Sequence, residues 1–284
     1  MTKKPLEVTL VGLNELTRMD RWELERRSRA LAKPVYLGDK VALCRFMGRY
    51  KMFVSTHDIG FGAHLILDGF WESWLTTFMA QRVKPGMHVV DAGANHGYYT
   101  TLFADIVGAE GRVAAIEPNP YIAQLLRQTI AVNGFASRVT VFEKALTDED
   151  DIKLTFHAVA DEPKNARIVD SSWDSSPHTS TLYGARLDTL LAEWPRIDFM
   201  KIDVEGAEEG MIHGSSHIIE RDRPPLVLEF NMLRCRDPRH LLDYLAALYG
   251  KPSVIDFDAK AKSITTEALM DPSRTEDWLL YYSN

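Results

Sequence analysis

The sequence predicts an α/β fold built on a Rossmann-like, doubly wound sheet, and three observations support this prediction. From residue 87 onward, short apolar runs typical of buried strands alternate with helical patterns, as expected for a parallel sheet covered by helices. The first strand leads into a turn of small residues, 92–97, and then into a helix. An acidic residue, Glu117, stands just past the second strand. Ligands of such sheets bind at the carboxyl ends of the strands, where both features fall.

The predicted elements follow the chain in a regular order. We expect strands over residues 87–92, 112–117, 139–145, 152–158, 197–204, 226–230, 254–257 and 278–282. We expect helices over residues 98–107, 206–220 and 238–250, a short helix capped by Asp188, and a helix that begins at Asn119-Pro120 with Asn as its N-cap. The polar stretch 161–179 is predicted to be a long loop.

The chain length of 284 residues allows one large domain with an extension. We expect an N-terminal extension over residues 1–60, containing a helix near 15–32 and a β-hairpin over 41–56, and a main domain over residues 61–284. Residues 70–80 predict an amphipathic helix, because apolar side chains recur there at helical spacing. The predicted helix near 15–32 could form the contact surface of a homo-oligomer. Its patchy apolar stripe is equally compatible with an ordinary solvent-exposed helix.

Composition excludes several classes of protein. The formal net charge is −7, from 33 basic and 40 acidic side chains, which disfavours a general nucleic-acid binder. No run approaches 18 consecutive apolar residues, so no membrane span is expected. The two cysteines, Cys44 and Cys235, lack metal-ligand spacing and indicate free thiols in a reducing compartment. We therefore expect a cytoplasmic protein.

The turn after the first strand predicts the kind of cofactor. A dinucleotide site uses G-x-G-x-x-G so that backbone can approach a pyrophosphate, and this chain lacks the second and third glycines. It has instead Asp91, Gly93, Asn95 and Gly97 at two-residue steps. This pattern suits S-adenosylmethionine, which has no phosphate, and Glu117 is placed to accept hydrogen bonds from two ribose hydroxyls. The alternative is a tight strand-to-helix turn that binds nothing.

A second group of charged residues ends the strand near residue 200. Lys201, Asp203 and Glu205 would share one face of a strand, and Glu229 in the next strand could face the same cleft. Charged groups on a buried strand are costly unless they are paired. The alternative to a catalytic site is therefore a structural cluster in which these charges neutralise one another. Two carboxylates could also bind a divalent cation. A metal is not expected, since the pair is incomplete and Lys201 neutralises charge.

Together these segments resemble the FkbM family of S-adenosylmethionine-dependent methyltransferases. The resemblance rests on residues 69–72, 90–100, 117–120, 187–188 and 198–208. It implies a seven-stranded methyltransferase sheet, with S-adenosylmethionine as cofactor and S-adenosylhomocysteine as product. The implied cofactor-binding residues are Glu72, Asp91, Gly93, Asn95, Gly97, Glu117, Asn119, Lys144, Ala145 and Asp203. Of these, Asp91 and the turn would line the methionine end, Glu117 the ribose, and Lys144-Ala145 the adenine.

The functional hypothesis is therefore methyl transfer to a hydroxyl of a sugar, glycan, or glycosylated or polyketide-type metabolite. Asp203, Glu205 and Lys201 are the candidate catalytic residues, and Glu205, Glu229 and His178 are the candidate acceptor contacts. Two alternatives stay open, a nicotinamide-dependent oxidoreductase or epimerase on a similar sheet and a non-catalytic cofactor-binding assembly protein. His96, His178 and His213 are further candidates for the proton acceptor.

Overall fold

Residues 9–157, 167–169 and 179–283 are described in a computed structural model of the chain. The N-terminal part forms α1 (Leu13–Leu16), α2 (Arg21–Leu31), β1 (Val35–Gly38), β2 (Val41–Phe46), β3 (Tyr50–Ser55), α3 (Phe61–Leu67) and α4 (Ser73–Arg82). There follow β4 (His88–Ala92), α5 (Tyr98–Val107), β5 (Arg112–Ile116), α6 (Pro120–Val132), β6 (Val139–Phe142), β7 (Ala145–Leu146), β8 (Lys153–His157), β9 (Arg167–Val169) and β10 (Thr179–Ala185). The rest forms α7 (Leu187–Leu190), β11 (Phe199–Ile202), α8 (Glu208–Gly214), α9 (Ser216–Asp222), β12 (Leu226–Phe230), α10 (Pro238–Tyr249), β13 (Ser253–Ile255), β14 (Ala261–Ser263), α11 (Thr266–Leu269) and β15 (Trp278–Tyr282).

The main sheet confirms the predicted fold class. Its strand order is β14-β13-β15-β12-β11-β4-β5-β6. Strands β6, β5, β4, β11 and β12 pair in parallel, and β15 runs antiparallel between β12 and β13. Seven of these strands are the predicted ones, and the short strand β14 adds an antiparallel edge beside β13. The chain adds β5 and β6 on one side of β4, and β12 and later strands on the far side of β11. Because the strand order reverses between β4 and β11, a crevice for a ligand lies at their carboxyl ends.

Both faces of the sheet are buried, as a doubly wound fold requires. Alternate residues of one strand enter different apolar clusters, because successive side chains point to opposite faces. Val89 and Val113 join the cluster on one face, whereas Val90 and Ala114 join the cluster on the other. The central strands β4 and β5 therefore lie in the core.

The N-terminal part covers one of these two faces. Leu24 of α2 and Phe46 of β2 belong to the same buried cluster as Leu102 and Phe103 of α5. The predicted hairpin is confirmed as β2 and β3, joined by antiparallel pairing, and β1 adds a third strand. The helix predicted near 15–32 is wrong as a single element, since Asp20 begins a new helix by accepting a hydrogen bond from Glu23 N.

The boundary of the next predicted helix is also corrected. Helix α4 begins at Ser73, not at residue 70. Gly69 and Glu72 both have positive φ, at +70° and +37°, and a left-handed residue cannot continue a helix. The predicted helix 206–220 is likewise divided, into α8 and α9, around Ser215.

A smaller sheet lies outside the simple alternation of strand and helix. Its order is β7-β10-β8-β9. The loop predicted over residues 161–179 is therefore wrong in part, because it contains β9, and strand β10 was not predicted. Asp188 also has a different role from the predicted one. Its carboxylate accepts hydrogen bonds from His217 N and Ile218 N, so it caps α9 instead of its own short helix.

No helix in the described part of the chain combines the length and the apolar character that crossing a bilayer would need.

Candidate active site

The turn between β4 and α5 brings bare backbone to the carboxyl end of the sheet. Gly93 has φ +74°, and a Cβ built there would lie 1.7 Å from the carbonyl oxygen of Asp203. Gly97 has φ +93°, and a Cβ there would lie 2.5 Å from Leu126 Cδ1. Only glycine combines this conformation with such close contacts. The turn is therefore pressed against both the end of β11 and helix α6.

Glu117 is fixed beside this turn by its own hydrogen bonds. Its Oε2 accepts from Asn95 N at 2.9 Å, and its Oε1 accepts from Asn119 N at 2.9 Å. The side chain is nearly buried, and burial raises the pKa of Glu117 to about 7, opposed by those two backbone bonds. Each carboxylate oxygen keeps acceptor capacity after one backbone bond. The residue can thus receive two further donors from a ligand. Residues 92–97 with Glu117 are called the turn side below.

The side chains of Asn95 and His96 are used inside the protein. Asn95 Oδ1 accepts from His96 N at 2.7 Å and also contacts His96 Nδ1. His96 Nε2 accepts from Ser55 N at 3.2 Å, which joins β3 to the turn. Burial lowers the pKa of His96 to about 3. Burial therefore favours a neutral His96 imidazole, and both of its ring nitrogens contact protein groups.

Lys201 connects the turn to the residues after β11. Its Nζ donates to Gly93 O at 3.1 Å and lies 3.0 Å from Asp203 Oδ2 and 3.8 Å from Asp91 Oδ1. Burial by itself would lower the pKa of Lys201, but the Asp203 and Asp91 carboxylates hold it above its ordinary value. Burial raises the pKa of Asp91, and Lys201 opposes that rise. The ammonium thus neutralises two acids at the centre of the sheet edge.

A second group of carboxylates lies beyond Asp203. Arg234 Nη1 is 3.0 Å from Glu205 Oε2 and 3.7 Å from Glu229 Oε2, and Arg234 Nη2 contacts Asp277 Oδ1. Partial burial raises the pKa of Glu205 to about 7, with Asp203 adding to the rise and Arg234 opposing it. Burial and the charge of Asp203 also raise the pKa of Glu229. Asp203, Glu205, Glu229, Arg234 and Asp277 are called the carboxylate side below.

The predicted reason for this grouping needs correction. Strand β11 ends at Ile202, so Asp203 and Glu205 lie in the loop after it and do not share a strand face with Lys201. Glu205 has a left-handed φ of +52°. The group still forms, because the loop turns back and places oxygens of Asp203, Glu205 and Glu229 within 4.8 Å of one another.

This spacing would suit a divalent cation, since hard cations prefer carboxylate oxygens. Arg234 and Lys201 already place positive charge on the same acids. The carboxylates therefore have side-chain counter-ions in the structure.

Three of the nine non-glycine residues with positive φ in the described part of the chain lie at this site. Glu72, Asn95 and Glu205 have left-handed φ values of +37°, +49° and +52°, which are uncommon for residues other than glycine. Such strain is typical of functional sites, where the surrounding structure enforces it. Glu72 Oε2 accepts a hydrogen bond from Tyr99 OH at 3.0 Å, and the Tyr99 ring lies 5.6 Å from Lys201 Nζ. Glu72 is thereby linked to the centre of the site.

The other predicted residues have varied positions. Asn119 caps α6 by accepting from Tyr121 N at 3.1 Å, as predicted. Lys144 and Ala145 follow β6 at the same sheet edge, where Ala145 pairs with Gly184. His213 stacks on His240 of α10, with ring centroids 5.9 Å apart. His178 lies outside the described residues.

Sequence reasoning missed three residues that the structure brings to the site. Thr100 Oγ1 donates to Asp91 Oδ2, Arg234 binds three carboxylates, and Asp277 precedes β15. Arg234 could have been found from its place just past the carboxyl end of a predicted strand. Asp277 carries no such signal, because it precedes an antiparallel strand and reaches the site only through the order of the sheet.

A model of the methyltransferase FkbM domain matches residues 91–251, more than half of the chain. The chain belongs to the FkbM methyltransferase family. The matched part of this FkbM-family chain runs from Asp91 through α10 and contains Glu117, Lys201, Asp203, Glu205 and Arg234.

Individual relatives match this FkbM-family chain over shorter stretches. The protein-L-isoaspartate O-methyltransferase of Hyperthermus butylicus is 36% identical over 66 residues, 21% of this chain and 27% of that relative. The enzyme of the same name from Aeropyrum pernix is 38% identical over 58 residues, 20% of this chain and 22% of the relative. The chain thus spans about a quarter of the length of these curated relatives.

Solved structures resemble the FkbM-family chain at low identity. The methyltransferase FkbM from Methylobacillus flagellatus is 17% identical with a TM-score of 0.46, covering 74% of this chain and 53% of that one. Fibrillarin from Aeropyrum pernix, solved with S-adenosyl-L-methionine, is 12% identical with a TM-score of 0.41, covering 88% of this chain and 99% of that one.

Proposed function

We propose that this protein transfers a methyl group from S-adenosylmethionine to a hydroxyl oxygen of a sugar, glycan, or glycosylated or polyketide-type metabolite. One observation carries the proposal, namely that Lys201 joins the turn side to the carboxylate side at a single sheet edge. A nucleoside-binding half and an acid–base half thereby meet where the fold binds ligands. Membership in a methyltransferase family favours methyl transfer over the nicotinamide-dependent alternative.

The residues of the turn side fit this cofactor. Glu117 has acceptor capacity on both oxygens beyond its two backbone bonds, which suits two adjacent ribose hydroxyls. Asp91 Oδ1 is buried, accepts no hydrogen bond among the described residues and lies 3.8 Å from Lys201 Nζ, so its proposed role at the methionine end of the cofactor would be exercised beside Lys201. Gly93 and Gly97 allow the left-handed, closely packed turn that holds this backbone at the sheet edge. Lys144 and Ala145, at the end of β6, are proposed to border the adenine.

When bound, S-adenosylmethionine supplies a methyl carbon attached to a positively charged sulfur. The sulfur keeps the electron pair of the broken carbon–sulfur bond, and S-adenosylhomocysteine is the product that leaves. Asp203 or Glu205 would accept the proton that the acceptor hydroxyl loses as its oxygen bonds to carbon. Correct positioning contributes roughly 7–11 kcal/mol to such a reaction, whereas a general base contributes about 3–5 kcal/mol. The rigid turn and the fixed carboxylates are therefore expected to matter more than the identity of the base.

The acceptor class is proposed from the chemistry of the carboxylate side. Asp203, Glu205 and Glu229 offer several acceptor oxygens, which suit a ligand that carries several hydroxyl donors. Neutral polyhydroxylated acceptors would also avoid the repulsion that an anionic acceptor would meet there. A non-catalytic assembly protein would bind the cofactor equally well but would give no methylated product.

Titration calorimetry with S-adenosylhomocysteine tests the cofactor site. We expect the natural protein to bind it, and Glu117→Ala to weaken binding by roughly 10- to 100-fold, since a hydrogen bond to a charged group contributes about 1.5–3 kcal/mol. Glu143→Ala is the matched control, because Glu143 is an exposed acid paired with Arg127. The absence of heat with both S-adenosylhomocysteine and S-adenosylmethionine would refute the proposal.

Mass spectrometry then tests the acceptor. Glycan and metabolite pools are incubated with methyl-labelled cofactor and the natural protein, with Glu117→Ala as the blank. A labelled neutral glycan or glycosylated product is the expected outcome. Label confined to protein, or no label at all despite measured cofactor binding, would overturn the acceptor class.

A further inference from the structure

Arg234 is the positive charge around which the carboxylate side is assembled. It lies in the short 3₁₀ turn Met232–Arg234 that follows β12. Its guanidinium reaches Glu205 from the loop after β11, Glu229 from β12, and Asp277 from the segment before β15. Three segments that are distant in sequence therefore meet on one side chain.

The balance of charge makes this role necessary. The carboxylate side contains four acids, Asp203, Glu205, Glu229 and Asp277. Two cations lie against these acids, Arg234 within the group and Lys201 beside it. Lys201 is committed to Asp203 and Asp91. In the part of the chain that the structure describes, the ion pairs of Glu205, Glu229 and Asp277 all go to Arg234. Removing its charge would leave three crowded acids without a counter-ion, which is strongly unfavourable in a partly buried site.

Arg234 also packs on the strained loop that carries Glu205. Glu205 and Gly206 have φ of +52° and +98°, and a Cβ on Gly206 would lie 3.7 Å from the Arg234 side chain. Glu208, the first residue of α8, accepts hydrogen bonds from Gly206 N and Val204 N of this loop. The direction of the Glu205 carboxylate is thus set by Arg234, since Glu208 binds only the backbone.

We propose that Arg234 is a positioning residue that replaces a divalent cation, holding Glu205, Glu229 and Asp277 in one fixed arrangement at the acceptor side. The role of these carboxylates toward an acceptor rests on the proposed function. That Arg234 takes the place of a cation can be tested without any acceptor. A guanidinium donates several directed hydrogen bonds from one planar group. Arg234 donates to Glu205 and Asp277 and holds Glu229 through an ion pair at 3.7 Å, so one side chain joins the three carboxylates as a metal ion would.

Manganese binding tests the inference, with Mn²⁺ alone as the probe and electron paramagnetic resonance as the readout. The Arg234→Gln variant should gain about one Mn²⁺ site per chain, with a dissociation constant below about 1 mM, the weaker limit for carboxylate sites. The natural protein, Arg234→Lys and the exposed neighbouring control Arg236→Gln should not gain it. The double variant Arg234→Gln/Glu229→Gln should lose the new site, which locates the ion among these carboxylates.

Two results would overturn the inference. One is a Mn²⁺ site in the natural protein that Glu229→Gln abolishes, because the carboxylates would then be metal ligands in the presence of Arg234. The other is an Arg234→Gln variant that binds S-adenosylhomocysteine as tightly as the natural protein, and is thus folded, but gains no Mn²⁺. If Arg234→Gln does not fold, Arg234→Lys decides, since gain of Mn²⁺ with that charge retained contradicts the proposal. Failure of the natural protein to bind S-adenosylhomocysteine would count against the proposed function instead.

Discussion

The turn side and the carboxylate side lie at the same sheet edge but are held together by different interactions. On the turn side, Glu117 is fixed by backbone N–H groups, and Gly93 lies directly against the backbone of Asp203. On the carboxylate side, Glu205, Glu229 and Asp277 are held by the side chain of Arg234. Lys201 contacts both sides through its side chain, and the two sides also meet where Asp203 N donates to Ala92 O at 3.2 Å.

Because of this difference, the two sides should tolerate substitution to different degrees. Backbone contacts depend on the fold as a whole and tolerate little substitution, whereas ion pairs can be rearranged by replacing single side chains. Under the proposed function, the backbone-fixed turn side would hold the cofactor and the carboxylate side would contact the acceptor. We therefore expect substitutions on the turn side to affect folding and cofactor binding together, and those on the carboxylate side to affect acceptor use.

The largest expected effect comes from Gly93→Ala. The new methyl would overlap the carbonyl oxygen of Asp203, at 1.7 Å, in a residue with φ +74°. Overpacking and left-handed strain together should cost about 2–4 kcal/mol of unfolding free energy and abolish measurable binding of S-adenosylhomocysteine. Chemical denaturation and calorimetry measure the two effects.

Gly86→Ala is the matched control for that variant. Gly86 has φ +80°, but a Cβ added there would have no heavy atom within 4 Å, so only the conformational cost of about 1–2 kcal/mol applies. Equal destabilisation by the two substitutions would show that the contact between the turn and β11 is unimportant.

The next effect is a pH dependence of cofactor binding. Because burial raises the pKa of Glu117 to about 7, the carboxylate becomes protonated as pH falls through that value and can accept fewer hydrogen bonds. The affinity for S-adenosylhomocysteine should be full above pH 8 and should fall by up to about tenfold per pH unit below 7. Calorimetry between pH 5 and pH 9 measures this. Glu117→Gln should bind weakly without that dependence, and an identical pH profile in the variant would assign the titration to another group.

The smallest effect concerns the link between the N-terminal hairpin and the turn. His96→Leu removes the acceptor for Ser55 N, which should cost about 1 kcal/mol at pH 7. Since burial lowers the pKa of His96 to about 3, the unfolded chain takes up a proton below pH 6.5 that the folded protein does not. The contribution of His96 is thus complete above pH 6.5 and declines as pH falls.

Thermal or urea unfolding at pH 7 and pH 5 measures that decline. The difference in unfolding free energy between the natural protein and His96→Leu should be smaller at pH 5 than at pH 7. The exposed residue His64, changed to Leu, controls for the loss of one imidazole from the unfolded chain. A difference that grows as the pH falls would contradict the assigned state of His96.

The sequence was most informative where adjacent residues determine the structure. The β4 turn, the cap at Asn119 and the position of Glu117 each follow from a short stretch of chain, and the strands predicted over residues 226–230 and 278–282 agree with β12 and β15. The breaks in the N-terminal helices depend on the single cap Asp20 and on the left-handed residue Glu72, which propensity does not reveal. The meeting of Arg234 with Asp277 depends on β15 lying beside β12, and no local pattern encodes that neighbourhood.

The way the N-terminal hairpin is attached has a consequence for the stability of the site. The matched family region begins at Asp91, yet Leu102 and Phe103 of that region are buried partly by Leu24 and Phe46, which precede it. The turn after β4 leads directly into α5, so the packing of Leu24 and Phe46 on α5 also supports the residues of the site. A substitution far from the sheet edge, at Leu24 or Phe46, is therefore expected to loosen the site without touching any residue in it.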